Sequence, residues 1–280
     1  MSGILYVVGT PIGNLSDFSP RAIETLRQVD FIAAEDTRVT LKLLNHFEIK
    51  KPLISYFEHN RQEKGRQIAD RLMAGENAAI VTDAGMPCIS DPGEDLVALC
   101  RQLGIPVAVV PGPTAALSAV AVSGLSCGRF CFEGFLSTGK KSRAEHLEKL
   151  RYEERTMIFY EAPHKLRATL KDFAQTFGPE RRIALCRELT KLHEQVLEMT
   201  LERACAYYQE QEPRGEFVLV LEGAQIPSQP ECTMEECLEA MCEMLRSGKS
   251  KNEAARLMAR RSGYRKNELY RLLIEKEAKK

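Results

Sequence analysis

Short apolar runs and amphipathic stretches alternate along the first 116 residues of the chain. The apolar runs are rich in β-branched side chains and bounded by turn formers, which is typical of buried strands. The stretches between them carry apolar residues at helical spacing, and one opens at Ser19-Pro20, an N-cap followed by a proline. This alternation predicts an α/β fold with strands at 4–8, 31–34, 53–56, 78–82 and 107–110 and further helices at 61–73 and 94–103.

The alternation continues to about residue 225 and predicts a second α/β unit. Its strands are expected at 129–132, 157–160, 183–186 and 217–221, with helices near 143–150, 165–177 and 201–209. A proline-bearing linker at 226–230 leads to a C-terminal tail whose helices are expected at 235–245, 254–261 and 266–276. A capping box that begins at Ser250 starts the middle helix, and Gly263 ends it. We therefore predict two tandem α/β domains at 1–116 and 117–225, a ligand cleft between them, and a helix-turn-helix-like domain at 231–280.

Three predicted strands run directly into loops punctuated by glycine and proline. The loops are Gly9–Leu15, Asp83–Gly93 and Pro111–Ala116. In open α/β sheets ligands bind beyond the carboxyl ends of the strands, and glycine lets a ligand approach bare backbone. Asp83 is either a plain turn residue or a ligand acceptor. The two proline-bearing turns that follow it favour a binding loop.

Four polar residues, Glu35 to Arg38, follow the second predicted strand. One interpretation is structural: Asp36 or its neighbour caps the next helix, and Glu35 pairs with Arg38. The other is functional: Asp36 and Arg38 line the same crevice as Asp83. The sequence supports both interpretations about equally.

Composition places the chain among globular proteins. Of its 280 residues, 44% are hydrophobic, and no apolar run approaches the roughly 18 residues of a membrane span. The start has no basic leader, and the nine cysteines are odd in number and form no C-x-x-C pair. We therefore expect a cytoplasmic protein with no membrane partner and no metal site.

The zero net charge conceals a strong asymmetry. From Arg246 to Lys280 there are twelve Lys and Arg against four Asp and Glu, a net charge of +8, so the preceding residues carry −8. Segregation on this scale favours an anionic partner, nucleic acid before membrane, because no face of bulky aromatic residues accompanies it. The alternative is a small bundle packed on the body with a solvated basic face.

Residues 134–142 nearly match a phosphate-binding P-loop. That motif requires Ser or Thr directly after its lysine, whereas Lys141 follows Lys140 here. We therefore expect no nucleotide hydrolysis. Lys140, Lys141 and Arg143 are interpreted as a solvated loop or as a contact to a phosphate backbone.

Eight sequence blocks resemble the signature motifs of the tetrapyrrole methylase superfamily, and within it the enzymes that methylate a ribose 2′-oxygen of ribosomal RNA. The blocks follow in order over about the first 225 residues: GTPIGNL at 9–15, AEDTR at 34–38, DAGMPCISDPG at 83–93, PGPTA at 111–115, FEGFL at 132–136, FYEAPHK at 159–165, RELTKLHE at 187–194 and RGEF at 214–217. Met86, Cys88 and Ser137 depart from the residues usual there, which affects local loop packing.

The resemblance implies two domains of the tetrapyrrole methylase type, S-adenosyl-L-methionine as methyl donor, and a homodimer. It implies a target at cytidine 1402 of 16S rRNA in the small ribosomal subunit. It also implies donor contacts at Gly9, Thr10, Pro11, Asp83, Ala84, Gly85, Met86, Thr114, Ala115, Glu161, Arg187, Gly215 and Glu216.

The general base and the RNA contacts each have several candidate residues. For the base that accepts the ribose proton, the sequence offers four candidates without ranking them: Glu35, Asp36, Glu188 and Lys191. Basic residues available for RNA contact are Arg38, Lys140, Lys141, Arg260, Arg261, Arg265 and Lys266.

Three other functions remain open at this point. The first is a P-loop enzyme, which would require magnesium-dependent ATP binding that Lys140→Ala abolishes and which the misplaced hydroxyl disfavours. A methyltransferase acting on a small tetrapyrrole-type molecule would share the same body but has no use for a basic tail. A non-catalytic RNA-binding protein would use the tail but bind no S-adenosylmethionine.

Overall fold

The computed structural model describes residues 2–225 and 232–278, and its first half is built on a parallel sheet. The strand order is β3-β2-β4-β1-β5. The parallel register pairs Leu5 with Ala78 and with Val107. The strands are β1 (Leu5–Val8), β2 (Phe31–Ala34), β3 (Leu53–Ser55), β4 (Ala78–Val81) and β5 (Val107–Val110).

Both faces of this first sheet are covered. Alternate residues of β2 and β4 enter two separate hydrophobic clusters, so every residue of both strands is buried. Ser19 caps the first helix by accepting a hydrogen bond from the Ala22 N–H at 3.1 Å, as its sequence predicts. The helices are α1 (Pro20–Gln28), α2 (Thr37–His46), α3 (Arg61–Met73) and α4 (Glu94–Gln102).

The second sheet is mixed, in the order β6-β7-β10-β8-β9. Its first two strands are parallel, and the other neighbours are antiparallel. Sequence analysis missed the edge strand β9, whose half-exposed side chains give no continuous apolar run. The strands are β6 (Phe130–Phe135), β7 (Thr156–Glu161), β8 (Arg182–Arg187), β9 (Gln195–Thr200) and β10 (Phe217–Leu221).

Helices cover both faces of the second sheet. The helix that follows β5 packs against β7 and β10 of this sheet through Ala116, Ala119 and Val120. The other helices enclose the larger cluster around Phe159 and Phe173. The helices are α5 (Ala115–Val122), α6 (Lys140–Leu150), α7 (Pro163–Phe177) and α8 (Leu201–Glu210).

Three helices with a hydrophobic cluster of their own form the described part of the C-terminal tail: α9 (Met234–Arg246), α10 (Lys251–Ser262) and α11 (Lys266–Ala278). Met241, Met258 and Leu269 lie at the centre of that cluster. Ser250 caps α10, and Gly263 ends it in the left-handed conformation, as predicted. The predicted linker at 226–230 lies outside the described residues, and the proposed domain boundaries stay a prediction. No helix in the described ranges has both the length and the apolarity needed to span a membrane.

Candidate active site

A cavity of about 360 Å³ lies where the carboxyl ends of strands from both sheets meet. The first sheet contributes the loops after β1, β4 and β5, through Ile12, residues 84–86, residues 89–91, and 114–115. The second contributes the ends of β6, β7 and β8 and the start of β10, including Phe135, residues 160–163, Leu189, Lys191 and residues 216–218. The cavity volume falls within the range of small-molecule sites, which often lie between two packed units.

Glycine brings the first-sheet loops together beneath the cavity. A Cβ on Gly9 would lie 2.7 Å from the backbone of Gly112 and 2.6 Å from Met86 Sδ. Thr10 and Gly85 exchange backbone hydrogen bonds of 2.9 and 3.2 Å. Gly9, Thr10 and Pro11 are buried and do not line the cavity, where Ile12 lies instead. Gly9 and Thr10 therefore hold the cavity-lining loops together from behind, and the predicted donor contacts at these three residues stay a prediction.

Thr114 and Ala115 line the cavity at the start of α5. The Thr114 hydroxyl caps the helix by accepting a hydrogen bond from the Leu117 N–H at 3.2 Å. The Ala116 N–H, one residue before Leu117, donates a hydrogen bond to the Tyr160 hydroxyl at 3.2 Å, and this bond connects α5 to the end of β7. Sequence analysis missed Tyr160 as a lining residue, although it lies in one of the signature blocks.

Carboxylates gather beside the loop after β4. The Asp83 carboxylate accepts a hydrogen bond from the Asp36 N–H at 3.2 Å, and Glu35 accepts one from the Thr82 hydroxyl at 2.6 Å. Asp36 caps α2 and pairs with Arg38 at 2.6 Å. The expected pair between Glu35 and Arg38 is therefore wrong, because the guanidinium reaches the nearer carboxylate. Asp36 and Arg38 do lie next to Asp83, although none of the three lines the cavity.

The carboxylates around this loop have pKa values shifted in opposite directions. Hydrogen bonds from Arg38 lower the pKa of Asp36 to about 2. Burial and the charge of Glu35 raise the pKa of Asp83, and the same two causes raise the pKa of Asp91 to about 6. Asp91 lines the cavity, whereas the sequence had singled out Asp83. Both side chains belong to the same loop, and local sequence does not determine which of them faces the cavity.

Glu188, Lys191 and Glu216 form a linked group at the opposite wall. Lys191 Nζ lies 3.0 Å from Glu188 Oε1 and 2.9 Å from Glu216 Oε2, and the Glu216 N–H donates to Glu188 at 2.9 Å. Burial works against the charged forms. Even so, these hydrogen bonds lower the pKa of Glu188 and raise the pKa of Lys191. Gly215 fits tightly, because a Cβ there would lie 2.6 Å from the Glu188 side chain.

Arg187 lies next to this wall without lining the cavity. Its Nε donates to the Arg214 carbonyl at 2.7 Å, so the side chain braces the loop before β10. Glu161, by contrast, lines the cavity, with only 6% of its surface exposed.

The predicted RNA contacts are spread over the surface. Arg38 is 87% exposed at its side chain, and Lys140 and Lys141 are exposed at the start of α6. Arg261, Arg265 and Lys266 are exposed in the C-terminal tail, whereas the side chain of Arg260 lies outside the described residues. Within the described ranges, no group of three or more His, Cys, Asp or Glu is placed to hold a metal ion.

Solved structures share this architecture at low sequence identity. Uroporphyrin-III-C-methyltransferase from Thermus thermophilus aligns with a TM-score of 0.56 and 20% identity, covering 78% of this chain and 94% of that protein. Diphthine synthase aligns with a TM-score of 0.62 and 12% identity, covering 79% and 90%. At these identities the likeness shows the fold.

Curated relatives are much more similar in sequence. The protein named Ribosomal RNA small subunit methyltransferase I from Synechocystis sp. is 49% identical over 276 residues, which is 99% of both chains. The protein of that name from Thermotoga maritima is 48% identical over 221 residues, 79% of this chain and 99% of its own length. The family described as Tetrapyrrole (Corrin/Porphyrin) Methylases matches residues 4–205. The chain therefore belongs to the tetrapyrrole methylase family and, within it, to the group of the ribosomal RNA small subunit methyltransferases I.

Proposed function

We propose that this protein transfers the methyl group of S-adenosyl-L-methionine to the ribose 2′-oxygen of cytidine 1402 in 16S rRNA. The observation that carries the proposal is the 49% identity over nearly the full length to a relative named for methylation of small-subunit rRNA. The cavity also supports the proposal, because it lies at the carboxyl ends of strands from both sheets and ligands of α/β proteins bind at such strand ends.

The side chains around the cavity fit the donor chemically. Phe135, Met86 and Leu189 offer apolar surface on which a purine and a thioether chain can pack. Asp91, Glu161 and Glu216 add carboxylates, which complement a molecule that carries a sulfonium and an ammonium group. We propose that these residues, with Ala84, Gly85, Thr114 and Ala115, hold the donor.

The donor supplies a methyl group on a positively charged sulfur, which an oxygen nucleophile displaces. The chain's own contribution is chiefly orientation, since fixing two reactants in line is worth roughly 7–11 kcal/mol, whereas a positioned base adds roughly 10²–10⁴-fold. Loops held in contact at Gly9 and Gly112 provide a rigid floor for that alignment.

The pKa values rank the predicted bases. Lys191 is protonated, because its pKa is raised, so it cannot accept the ribose proton. Glu188 and Asp36 are weak bases, because hydrogen bonds hold their pKa values low. The fourth candidate, Glu35, does not line the cavity. We propose Asp91 as the proton acceptor instead, because it lies on the cavity surface with a pKa of about 6.

Basic residues on two parts of the molecule would engage the RNA. We propose that Arg38, Lys140 and Lys141 contact phosphates near the cavity and that the C-terminal tail adds affinity. The Thermotoga maritima relative has no counterpart for about a fifth of this chain, a share similar in size to the linker and tail together. We infer that the tail assists substrate binding and takes no part in methyl transfer.

A cytoplasmic homodimer completes the proposal. Apolar side chains stand exposed on β5 and α5, including Val109 at 58%, Leu117 at 54% and Val122 at 51% of their surface. Exposed apolar side chains of this kind support contact with a second copy of the chain. Sedimentation equilibrium of the purified protein tests this part: a dimer is expected, and a monomer at micromolar concentration would contradict it.

Two measurements test the proposed activity. Mass spectrometry of rRNA nucleosides should show 2′-O-methylcytidine at position 1402 in cells with the gene and unmodified cytidine in cells without it. Calorimetry should show that the purified protein binds S-adenosylmethionine. Unchanged rRNA would redirect the assignment to a small-molecule substrate, and absence of donor binding would indicate a non-catalytic RNA-binding protein.

A further inference from the structure

Glu161 is a buried carboxylate on the cavity surface, with no cation beside it among the side chains that the structure describes. Its Oε1 accepts a hydrogen bond from the Ala162 N–H at 2.9 Å, and its Oε2 accepts one from the Thr169 hydroxyl. Across residues 2–225 and 232–278, no lysine, arginine or histidine nitrogen comes within ion-pairing distance of it. Burying a carboxylate without a paired charge is costly, so its few hydrogen bonds carry unusual weight.

The Thr169 hydroxyl is controlled from its far side by Arg143. Thr169 is fully buried in α7, and Arg143 Nη2 donates to its Oγ1 at 2.8 Å. Arg143 Nε donates in turn to Asp172 Oδ2 at 2.6 Å, which fixes the guanidinium. The Arg143 side chain is only 17% exposed, so it belongs to the interior and not to the solvated cluster in which the sequence analysis had placed it.

The donor and acceptor groups of Arg143, Thr169 and Glu161 determine the direction of the hydrogen bonds between them. A guanidinium can only donate hydrogen bonds, whereas a threonine hydroxyl has a single hydrogen to donate. Because Arg143 occupies an acceptor position of Oγ1, that hydrogen is directed to Glu161. Without such a partner, a threonine inside a helix commonly donates to the carbonyl four residues earlier, here that of Lys165.

We propose that Arg143 is a positioning residue that acts through Thr169 to hold the Glu161 carboxylate in its donor-binding orientation. Arg143 itself does not line the cavity. The inference rests on the proposed function, because it assumes that the cavity binds S-adenosylmethionine. It goes beyond that function by extending the donor site to a side chain on α6, the helix that begins with Lys140 and Lys141.

Calorimetry with S-adenosylhomocysteine on the full-length protein tests the proposal. Arg143→Gln and Thr169→Val should each weaken binding about tenfold, the effect of losing one hydrogen bond to a charged group. Thr169→Ser keeps the hydroxyl and should bind within about threefold of the wild-type protein. Arg151→Gln is the matched control, because Arg151 follows the same helix and pairs with Glu148 at 2.7 Å, away from the cavity.

The double variant separates a shared pathway from two independent effects. If Arg143 acts through Thr169, Arg143→Gln should cost little further affinity in the Thr169→Val background, so the double variant also loses about tenfold. A loss of about 100-fold, the product of two independent effects, would overturn the proposal. So would unchanged affinity in both single variants with wild-type melting temperatures.

Kinetic measurements and a milder variant distinguish weaker donor binding from a loss of folded protein. At saturating donor, kcat on ribosomal subunits should stay within about threefold of wild type while the KM for the donor rises, since the lesion lies in donor binding. Should Arg143→Gln not fold, Arg143→Lys keeps the charge but not the two-pronged geometry and should still weaken binding. A wild-type protein that binds no S-adenosylhomocysteine would refute the proposed function itself, a result distinct from the failure of the positioning role.

Discussion

Gly9→Ala probes the tight contact between the loops that follow β1 and β5. The added Cβ would lie 2.7 Å from the Gly112 backbone, whereas ordinary contact begins near 3.4 Å. The loops must therefore separate by about 0.7 Å, and the Gly112 backbone cannot move aside as a flexible side chain could. Met86, whose Sδ would lie 2.6 Å from the same Cβ, must also shift, and this side chain lines the cavity.

Two assays measure the consequences. Overpacking of this kind costs about 1–3 kcal/mol, which corresponds to a fall in Tm of roughly 2–12 °C for a protein of this size. Methyl transfer to small ribosomal subunits should fall further, by about 100-fold, because a displacement approaching 1 Å at a reacting site costs about that much in rate. Thermal unfolding and a radiolabelled methyl-transfer assay report the two effects separately.

Gly128→Ala is the control for this prediction. No heavy atom lies within 4 Å of an ideal Cβ at Gly128, so the same substitution there should change neither stability nor activity appreciably. A Gly9→Ala protein with the activity and Tm of the control would show that the two loops do not need their close approach, and would refute the reasoning.

Three further predictions concern charge. Asp91→Asn should raise the free energy of unfolding by about 1–2 kcal/mol near pH 8, after allowance for partial solvent exposure, and by almost nothing near pH 4. The reason is that the raised pKa of about 6, against 3.8 normally, makes ionised Asp91 a cost that disappears on protonation; urea titrations that show equal gains at both pH values would contradict this. Asp83→Ala should fold normally, because it removes repulsion with Glu35, but should weaken donor binding indirectly, because Asp83 accepts the Asp36 N–H at 3.2 Å and begins the loop that lines the cavity at residues 84–86; wild-type affinity by calorimetry would show that Asp83 does not position this loop. Deletion of residues 232–280 should raise the KM for ribosomal subunits about tenfold and make it less sensitive to salt, while donor affinity stays within about twofold; an unchanged KM would mean that the tail does not contact RNA.

Much of the fold follows from local pattern. The first-sheet strands and the helices with clear caps fall where the apolar runs and Ser19, Ser250 and Gly263 predict them. The edge strand β9 escaped because half-exposed strands need no apolar run. Strand order was also beyond reach, since β10 lies between β7 and β8 only through contacts distant in sequence.

The candidate site was predictable as a set of loops but not as a set of side chains. The glycine- and proline-rich segments do surround the cavity, yet Gly9 and Thr10 support it from below, while Asp91 and Tyr160 line it. Which residues of a loop face inward depends on packing between the two sheets. Arg143 shows the same limit, because its inward direction is set by Thr169 and Asp172 on another helix.

The position of β10 has a consequence for biosynthesis. All strands of the first sheet lie within the first 110 residues, but β10, at 217–221, is the last strand of the described residues and the central one of its sheet. Residues 216–218 also supply one wall of the cavity. During translation the cavity therefore stays incomplete until these residues have left the exit tunnel, so the newborn protein completes this cavity only near the end of synthesis.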